Sequence, residues 1–506
     1  IRDAQIGVLS RGRRVRLTAL LVHGSRQQGI YVEHGELTAN QVLIEKSGRA
    51  GFYVDGADAK VGDLEVRDSG TFGLSAEMDV GGVAAHVTAW ELVISGFRSA
   101  GVRALGSTLA VDRALVRDAV TTADAKLGMG FRLEPVDKPK TASTATLSDV
   151  IVENTRGNAI LALGTAVDAE RVVLRGTKGS GIDAAFFGGF AADLRLVESV
   201  IEENEGAGLR LAGSHAALDR CLIRDLAPSA DRLRFGEGIV ALLDAPSKQP
   251  ANLEVRDTAI ERVRGIGVLV FGSPARLERV AVRDVAAHED GRFGYGVEAA
   301  PSIETGARAT LDLVQSLIEQ STHAGVVITH SDASLDSIVI RDVRTVDGLF
   351  GRGLDVGDKN PDLGTSNVTL KRSWISRASE VGLFAGRGVV EVEHTVVLDT
   401  LPTADGRFGD GLVAAFGGQL TVTQSTIRGS ARAGLGTFGS ALTVRGVRLS
   451  CNAFDLNIER EGDTASTVND GSDNACGCPK ERRNWGACRA STGGLEPIAV
   501  SETSAP

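Results

Sequence analysis

LEVRDTAIERVRGIGVLV, Leu253 to Val270, and LDLVQSLIEQSTHAGVVI, Leu311 to Ile328, follow one plan. Each opens on an alternating apolar strand, steps into a second short strand, turns, and closes on Gly-apolar-x-apolar. Apolar residues alternating in short runs, rich in Val and Ile and never sustaining a 3.6-residue period, make strands and exclude helices. The plan recurs around VDRALVRD (Val111 to Asp118), LDRCLIRD (Leu218 to Asp225), LERVAVRD (Leu277 to Asp284), LDSIVIRD (Leu335 to Asp342) and VEHTVVLD (Val392 to Asp399). A loop follows each of these, and then a strand headed by glycine.

The heading glycine stands at positions 7, 29, 51, 73, 101, 130, 157, 181, 208, 238, 267, 296, 325, 353, 382, 411 and 434. Spacings start at 22 and settle near 29. Three short strands per unit of that length form one turn of a parallel β-solenoid. From Gly238 onward two turns make a larger repeat, because Gly238, Gly296, Gly353 and Gly411 are 57 or 58 apart. Alternate turns carry a longer loop: ADRLRFGEG (Ala230 to Gly238), EDGRFGYG (Glu289 to Gly296), VDGLFGRG (Val346 to Gly353) and ADGRFGDG (Ala404 to Gly411). These loops should line one flank, with Phe235, Phe293, Phe350 and Phe408 folded back onto the solenoid.

Composition agrees with this plan. In 506 residues there are 62 Gly but only 4% aromatics, which suits a core one solenoid wide filled by stacked Val, Ile and Leu. The glycines follow no every-third-residue period, so collagen is excluded. A net charge of −10 offers no cationic field for nucleic acid or an anionic membrane. No apolar run approaches the 18 or so residues of a membrane span.

With these repeats the chain resembles the right-handed parallel β-helix proteins of the pectate-lyase-like superfamily, which includes pectate lyases, polygalacturonases, tailspikes and secreted bacterial surface proteins. The resemblance covers roughly residues 1 to 458. It implies an all-β, right-handed, single-stranded parallel β-helix of about 17 turns, a rod of about 80 Å, followed by an irregular cysteine-bearing tail over 459–506. IRDAQIGV (Ile1 to Val8) matches the late part of a turn, so the chain is expected to be a fragment or processed product lacking an N-terminal portion and any signal segment.

Acid and base alternate along the Arg-Asp columns. One reads Asp225, Arg262, Asp284, Gln320, Asp342, Arg377, Asp399, and its neighbour reads Arg224, Glu261, Arg283, Glu319, Arg341. Opposite charges one strand spacing apart form a salt-bridge ladder, not a catalytic row. The loops offer Asp124, Asp231, Asp290, Asp347 and Asp405, with Arg234, Arg292 and Arg407 beside them, as a ridge for a cation or an anionic polysaccharide. The competing reading makes these aspartates turn formers. Asp358 and Asp362, within GDKNPDLG, are the candidate calcium ligands. Tyr31 and Tyr53 share an outward position on adjacent turns, where they offer a platform for a sugar ring.

The short motifs of the family's enzymes are missing: no Asp-Asp, no Gly-His-Gly and no Asp-Pro-His. The eight histidines have neither metal-ligand spacing nor a serine elbow. Four cysteines in the tail imply two disulfides and an oxidising compartment, paired either Cys451–Cys476 with Cys478–Cys488 or Cys451–Cys478 with Cys476–Cys488. A four-thiolate zinc site is the alternative, and Cys221 reads as a buried free thiol.

These features lead first to a secreted or cell-surface scaffold without enzymatic activity or a required cofactor, presenting its loops to a matrix, a partner protein or a cell. The alternative is a β-helix that binds or degrades polysaccharide by lyase-like chemistry. Expected partners are surface or matrix proteins or polysaccharide, with end-to-end self-association as a further expectation; neither nucleic acid nor a membrane span is expected.

Overall fold

The computed structural model describes all residues except 121–127, 230–235, 347, 349, 359, 479–484, 492–494, 496–497 and 499–506. Strands dominate, and 46 of them lie in parallel sheet; the pair Val136–Asp137 and Lys140–Thr141 is antiparallel. The fold is a right-handed parallel β-helix, as the repeats imply. Two compact units divide it: unit 1 holds 1–240 and 244–252, and unit 2 holds 241–243 and 253–506. Both are stacks of three-stranded turns in which each strand pairs in register with its counterpart one turn on. In unit 1, for instance, Ile30–Glu45 pairs with Val8–His23 on one side and Phe52–Asp55 on the other; in unit 2, Tyr295–Ala300 pairs with Ile266–Phe271 and Ala324–Ile328.

Strands this short must bend sharply, and the bends fall where the sequence puts Asp, Asn and Arg. Asp225, Arg262, Asp284, Asp342, Arg377 and Asp399 all have φ between 51 and 58°. That left-handed region is reached most readily by residues whose short polar side chains bond locally, and the aspartates of the IRD motif meet this need. The Arg-Asp signature therefore turns a corner as well as forming a ladder. The ladder itself is present: Arg377 grips Asp342 through two bonds of 2.6 and 2.7 Å, and Arg171 and Arg279 grip Asp149 and Asp257 in the same way. Arg341 reaches Glu319 at 2.7 Å.

The glycine heading the third strand answers to crowding, since a Cβ at Gly296 would lie 2.5 Å from both the Gly325 carbonyl oxygen and Ile318 Cγ2. At Gly51 it would lie 2.3 Å from Val66 Cγ1 and 2.8 Å from the Gly73 oxygen. Inside each unit Val, Ile, Leu and Phe stack in columns with essentially no exposure, as at Ile30, Phe52, Leu74, Val102 and Phe131. A column of hydroxyls runs beside them: the Ser199 hydroxyl donates to the Val197 carbonyl and accepts from the Val172 amide. Cys221 takes the same position one turn on, buried and unbridged, and burial raises its thiol pKa.

Regular pairing continues past residue 458, because Phe454–Glu459 pairs with Arg489–Ala490 and Thr467–Asp470 with Ala441–Val444. The disulfides are Cys451–Cys478 and Cys476–Cys488, with Cα separations of 4.7 and 6.3 Å, the second of the two pairings open to the sequence. With all four sulfurs bonded in pairs, none is a thiolate for zinc.

Crowding at the heading glycine predicts that Gly296→Ala lowers the unfolding free energy by about 1–3 kcal/mol. Gly486, where a Cβ meets nothing within 4 Å, should tolerate alanine within about 0.5 kcal/mol. Denaturant titration of both variants checks this.

Candidate functional site

The outer face of the third strand departs from the alternating pattern. Its outward side chains form two columns, at the second and fourth positions after the heading glycine. In unit 1 the first column runs Tyr31, Tyr53, Ser75, Arg103, Arg132, and the second runs Glu33, Asp55, Glu77, Leu105, with Glu134 on the following turn. In-register stacking at about 4.8 Å per turn sets like beside like here: Tyr on Tyr, three carboxylates in succession, then Arg on Arg.

The tyrosine rings meet edge to face, with centroids 5.3 Å apart. The Tyr31 hydroxyl donates to Asp55 Oδ2 at 2.9 Å. Burial, then Asp55, raises the Tyr31 pKa, so the phenol stays protonated and acts as a donor. Asp55 also has a raised pKa, chiefly through burial and further through Asp79, Glu77 and Glu33, against the lowering effect of Tyr31. Glu33 and Glu77 have cationic partners: Arg11 holds Glu33 at 2.5 Å, and Arg103 holds Glu77 at 2.8 Å while the Ser75 hydroxyl donates to Glu77 at 2.7 Å. Asp55 has no cation among its described partners. Its stacked neighbours therefore push it toward proton uptake.

The two arginines continue the strip. Arg103 lies over the Phe72 ring at 5.0 Å, and Arg132 reaches Glu134 at 2.8 Å. The Nε atoms of both are buried without a hydrogen-bond partner, that of Arg103 lying 3.7 Å from Glu134 Oε2. Further along the same face Asp183 and Arg210 pair at 3.1 Å. The strip thus combines aromatic surface, a carboxylate whose pKa is raised, and two guanidinium groups paired with its acids.

In unit 2 the corresponding face is covered. Strands Ile266–Phe271, Tyr295–Ala300, Ala324–Ile328, Arg352–Gly357, Val381–Gly386 and Asp410–Ala415 are buried on both sides. Phe293 folds back and is 4% exposed, while Phe350 and Phe408 are half-buried; all three have φ of 60–64°. The residue after each Phe-Gly is clamped by the next turn: Tyr295 lies near His323, Arg352 bonds Glu380 at 2.8 Å, and Asp410 pairs with Arg432. Arg352, fully buried, also bonds Asp355 at 3.0 Å and sits against the Phe350 and Phe384 rings. Leu495 and Ile498 pack on the cluster of Val381, Phe384, Val413 and Phe438.

The loop residues expected to form a ligand ridge engage one another. Arg292 bonds Asp290 at 2.8 Å and Arg407 bonds Asp405 at 2.6 Å, each within its own loop. The Thr403 hydroxyl and then Arg407 hold the Asp405 carboxyl down at about 2. Asp124, Asp231, Arg234, Phe235 and Asp347 lie outside the described residues. Asp358 is buried and accepts from the His330 amide at 2.7 Å, the Ser366 hydroxyl at 2.6 Å and the Ser366 amide at 2.6 Å. Asp362 is exposed and its amide donates to the Asn360 side chain. Asp358 thus fastens a loop that Asp362 leaves open to solvent. Among the described residues the metal-like grouping is Asp455 with Cys476 and Cys488, whose sulfurs are bridged.

Sequence reading singled out Tyr31 and Tyr53 but not Glu33, Asp55, Glu77, Arg103 or Arg132. Aligning turns on the heading glycine, in place of the Arg-Asp corner, exposes the members of both columns at once.

No protein-family model matches the chain, and no curated protein is significantly similar to it. Solved structures to which the chain shows similarity include the periplasmic alginate epimerase AlgG, at 10% identity over 72% of this chain and 76% of that one, with a TM-score of 0.41. Another is the A-module of the mannuronan C-5 epimerase AlgE6 from Azotobacter vinelandii, at 11% identity over 87% and 91%, with a TM-score of 0.29. A PL6 alginate lyase in complex with a trisaccharide matches at 12% identity over 82% and 80%, with a TM-score of 0.24. All three are polysaccharide-acting proteins by name; at these scores no residue correspondence is drawn.

The bond from Tyr31 favours the ionised form of Asp55, so Tyr31→Phe should move the Asp55 pKa still higher. Carbon-detected NMR titration of the Asp55 carboxyl checks the sign; an unchanged or lower value contradicts the proposed coupling.

Proposed function

We propose that this is an exported protein that acts on an acidic polysaccharide, held along the outer face of the third strand of unit 1. The observation that carries this reading is the strip from Tyr31 to Arg132, where stacked aromatics, carboxylates and arginines interrupt the alternating ladder and leave Asp55 without a cation among its described partners. Each part suits a glycan. The tyrosine pair presents apolar ring edges to sugar C–H groups. Asp55, Glu33 and Glu77 accept from hydroxyls, and Arg103 and Arg132 fit a uronate carboxylate by bidentate contact. A polymer with a carboxylate on each sugar would meet the arginine pair and the tyrosine pair together, which a lone anion or a neutral sugar would not.

Polysaccharide binding or degradation thus takes precedence over a purely structural role. Long regular ladders alone would suit a scaffold, but three carboxylates stacked on successive turns add repulsion that a scaffold has no use for. The two disulfides favour an oxidising compartment. Among the described residues no helix is long and apolar enough to cross a membrane.

Calorimetric titration with polygalacturonate and alginate, against a neutral glucan, tests the reading. We expect binding of a uronate polymer that weakens with salt. Arg132→Ala should weaken it about tenfold or more, as expected for loss of a charge-assisted bond. Arg276→Ala, on the exposed ladder where Arg276 pairs with Asp312, should leave affinity unchanged. Ultraviolet absorbance of unsaturated uronate ends reports any elimination. Failure to bind either acidic polymer, or equal loss in both variants, contradicts the proposal.

A further inference from the structure

We infer that unit 1 carries a second track, a cationic groove along the bends that lead into the third strand, which takes a linear anionic glycan. It is separate from the strip on the outer face of that strand and does not depend on it.

Each of these bends opens at a left-handed corner, as at Lys46, Asp68, Asp118 and Asn154. The residue two places on forms a column in register. Backbone amides show this: Gly70 bonds the Ser47 carbonyl at 2.7 Å, Val120 the Phe97 carbonyl at 2.8 Å and Lys178 the Thr155 carbonyl at 3.0 Å. The column therefore reads Gly48, Gly70, Arg98, Val120, Arg156 and Lys178.

Two hollows lie along it. One, of about 380 Å³, has Ser47, Gly48, Ser69 and Gly70 in its lining together with Lys46 and Arg98; the other, of about 530 Å³, holds Arg156 and Lys178. Val120 lines both and is 41% exposed. The first hollow owes its room to glycine. A Cβ at Gly48 would lie 2.1 Å from the Arg26 oxygen, and one at Gly70 would lie 2.0 Å from the Gly48 oxygen. Backbone stays bare at both positions.

Charge separates these hollows from the ladders. On the ladder of the same unit Arg171 and Arg175 each grip an acid of a neighbouring turn, Asp149 at 2.8 Å and Glu153 at 2.9 Å. The side chains of Lys46, Arg98 and Arg156 are exposed and have no ion pair or hydrogen bond to any described residue. Lys178 pairs with Glu205 at the far end. The acids lining the hollows are Asp68 and Asp118, and Asp118 is engaged by Arg117 at 3.5 Å and by the Asn154 side-chain amide at 3.2 Å. Three unmatched cations thus stand along about 19 Å of the stack.

Acid groups spaced along a chain answer those cations. Sugar hydroxyls donate to Asp68 and Asp118, and Val120 offers an apolar contact to ring C–H groups. Among the described residues no aromatic side chain lines either hollow, so nucleic-acid bases have no stacking platform there. Exposed charge contacts contribute little each. The groove therefore holds a chain by several weak contacts and not a single sugar.

Footprinting tests this, with phenylglyoxal labelling arginine, acetic anhydride labelling lysine, and mass spectrometry reading each site. The ligand is an alginate oligomer long enough to span both hollows. Labelling of Lys46, Arg98 and Arg156 should slow severalfold on its addition, while Arg428, an exposed arginine of unit 2, keeps its rate. The protection should persist in Arg132→Ala, so failure of the strip leaves the groove standing; protection lost in that variant overturns a separate track. Adding Arg98→Ser and Arg156→Ser to Arg132→Ala should lower the remaining affinity about tenfold, and an unchanged affinity contradicts the assignment. Polyglutamate, an anionic chain without hydroxyls, should protect the three sites less. Equal protection by polyglutamate, or none by alginate, overturns the glycan groove.

Discussion

Backbone meets backbone at the head of the third strand, where the residue is glycine at most turns and faces the carbonyl oxygen of the head residue one turn on; Ala159, in register between Gly130 and Gly181, is an exception. At the glycine turns a methyl group does not fit without a shift: at Gly353 a Cβ would come within 2.3 Å of the Gly382 oxygen. This contact holds the turns at sheet spacing in both units and fixes the register of all that projects from them. A one-residue slip would exchange inner for outer faces.

Register imposed in this way forces every outward residue into a column, and each column must settle its own electrostatics at about 4.8 Å per step. At the corners the solution is alternation, with Arg171, Arg279 and Arg377 each gripping an acid from a neighbouring turn. Exposed pairs of this kind contribute little individually, but they remove the repulsion that stacking would otherwise build. On the third strand of unit 1 the solution is incomplete, since Asp55 sits between Glu33 and Glu77 with only Tyr31 to offset them. In unit 2 it is burial, with Arg352 matched by two acids and Glu298 left protonated. Function is sought where the column rule is broken, because a scaffold gains nothing from breaking it.

The turn plan, the glycine column and the ladder were legible because each repeats many times, and repetition identifies a position even when a single copy is ambiguous. The left-handed corners were visible as Asp-rich positions, although their conformational role was not. The acid stack was hidden by its brevity: Glu33, Asp55 and Glu77 occupy three early turns of 22-residue spacing, before the two-turn repeat that draws the eye begins. The loops misled for another reason. Asp290 with Arg292 and Asp405 with Arg407 look like an outward ridge, yet at a separation of two residues a turn brings them face to face. Glu298 and Asp355 could be placed outward by counting from the glycine, but their burial is encoded by no local pattern.

The strip from Tyr31 to Arg132 as a polysaccharide-holding face is the claim on which the functional account stands. A crystal structure of the protein soaked with a short oligouronate addresses it most directly. The account predicts sugar density along the outer face of the third strand in unit 1, with a uronate carboxylate on Arg103 or Arg132 and a ring against Tyr31 or Tyr53. An oligouronate bound only at the exposed corner ladders, with that face empty, would contradict it.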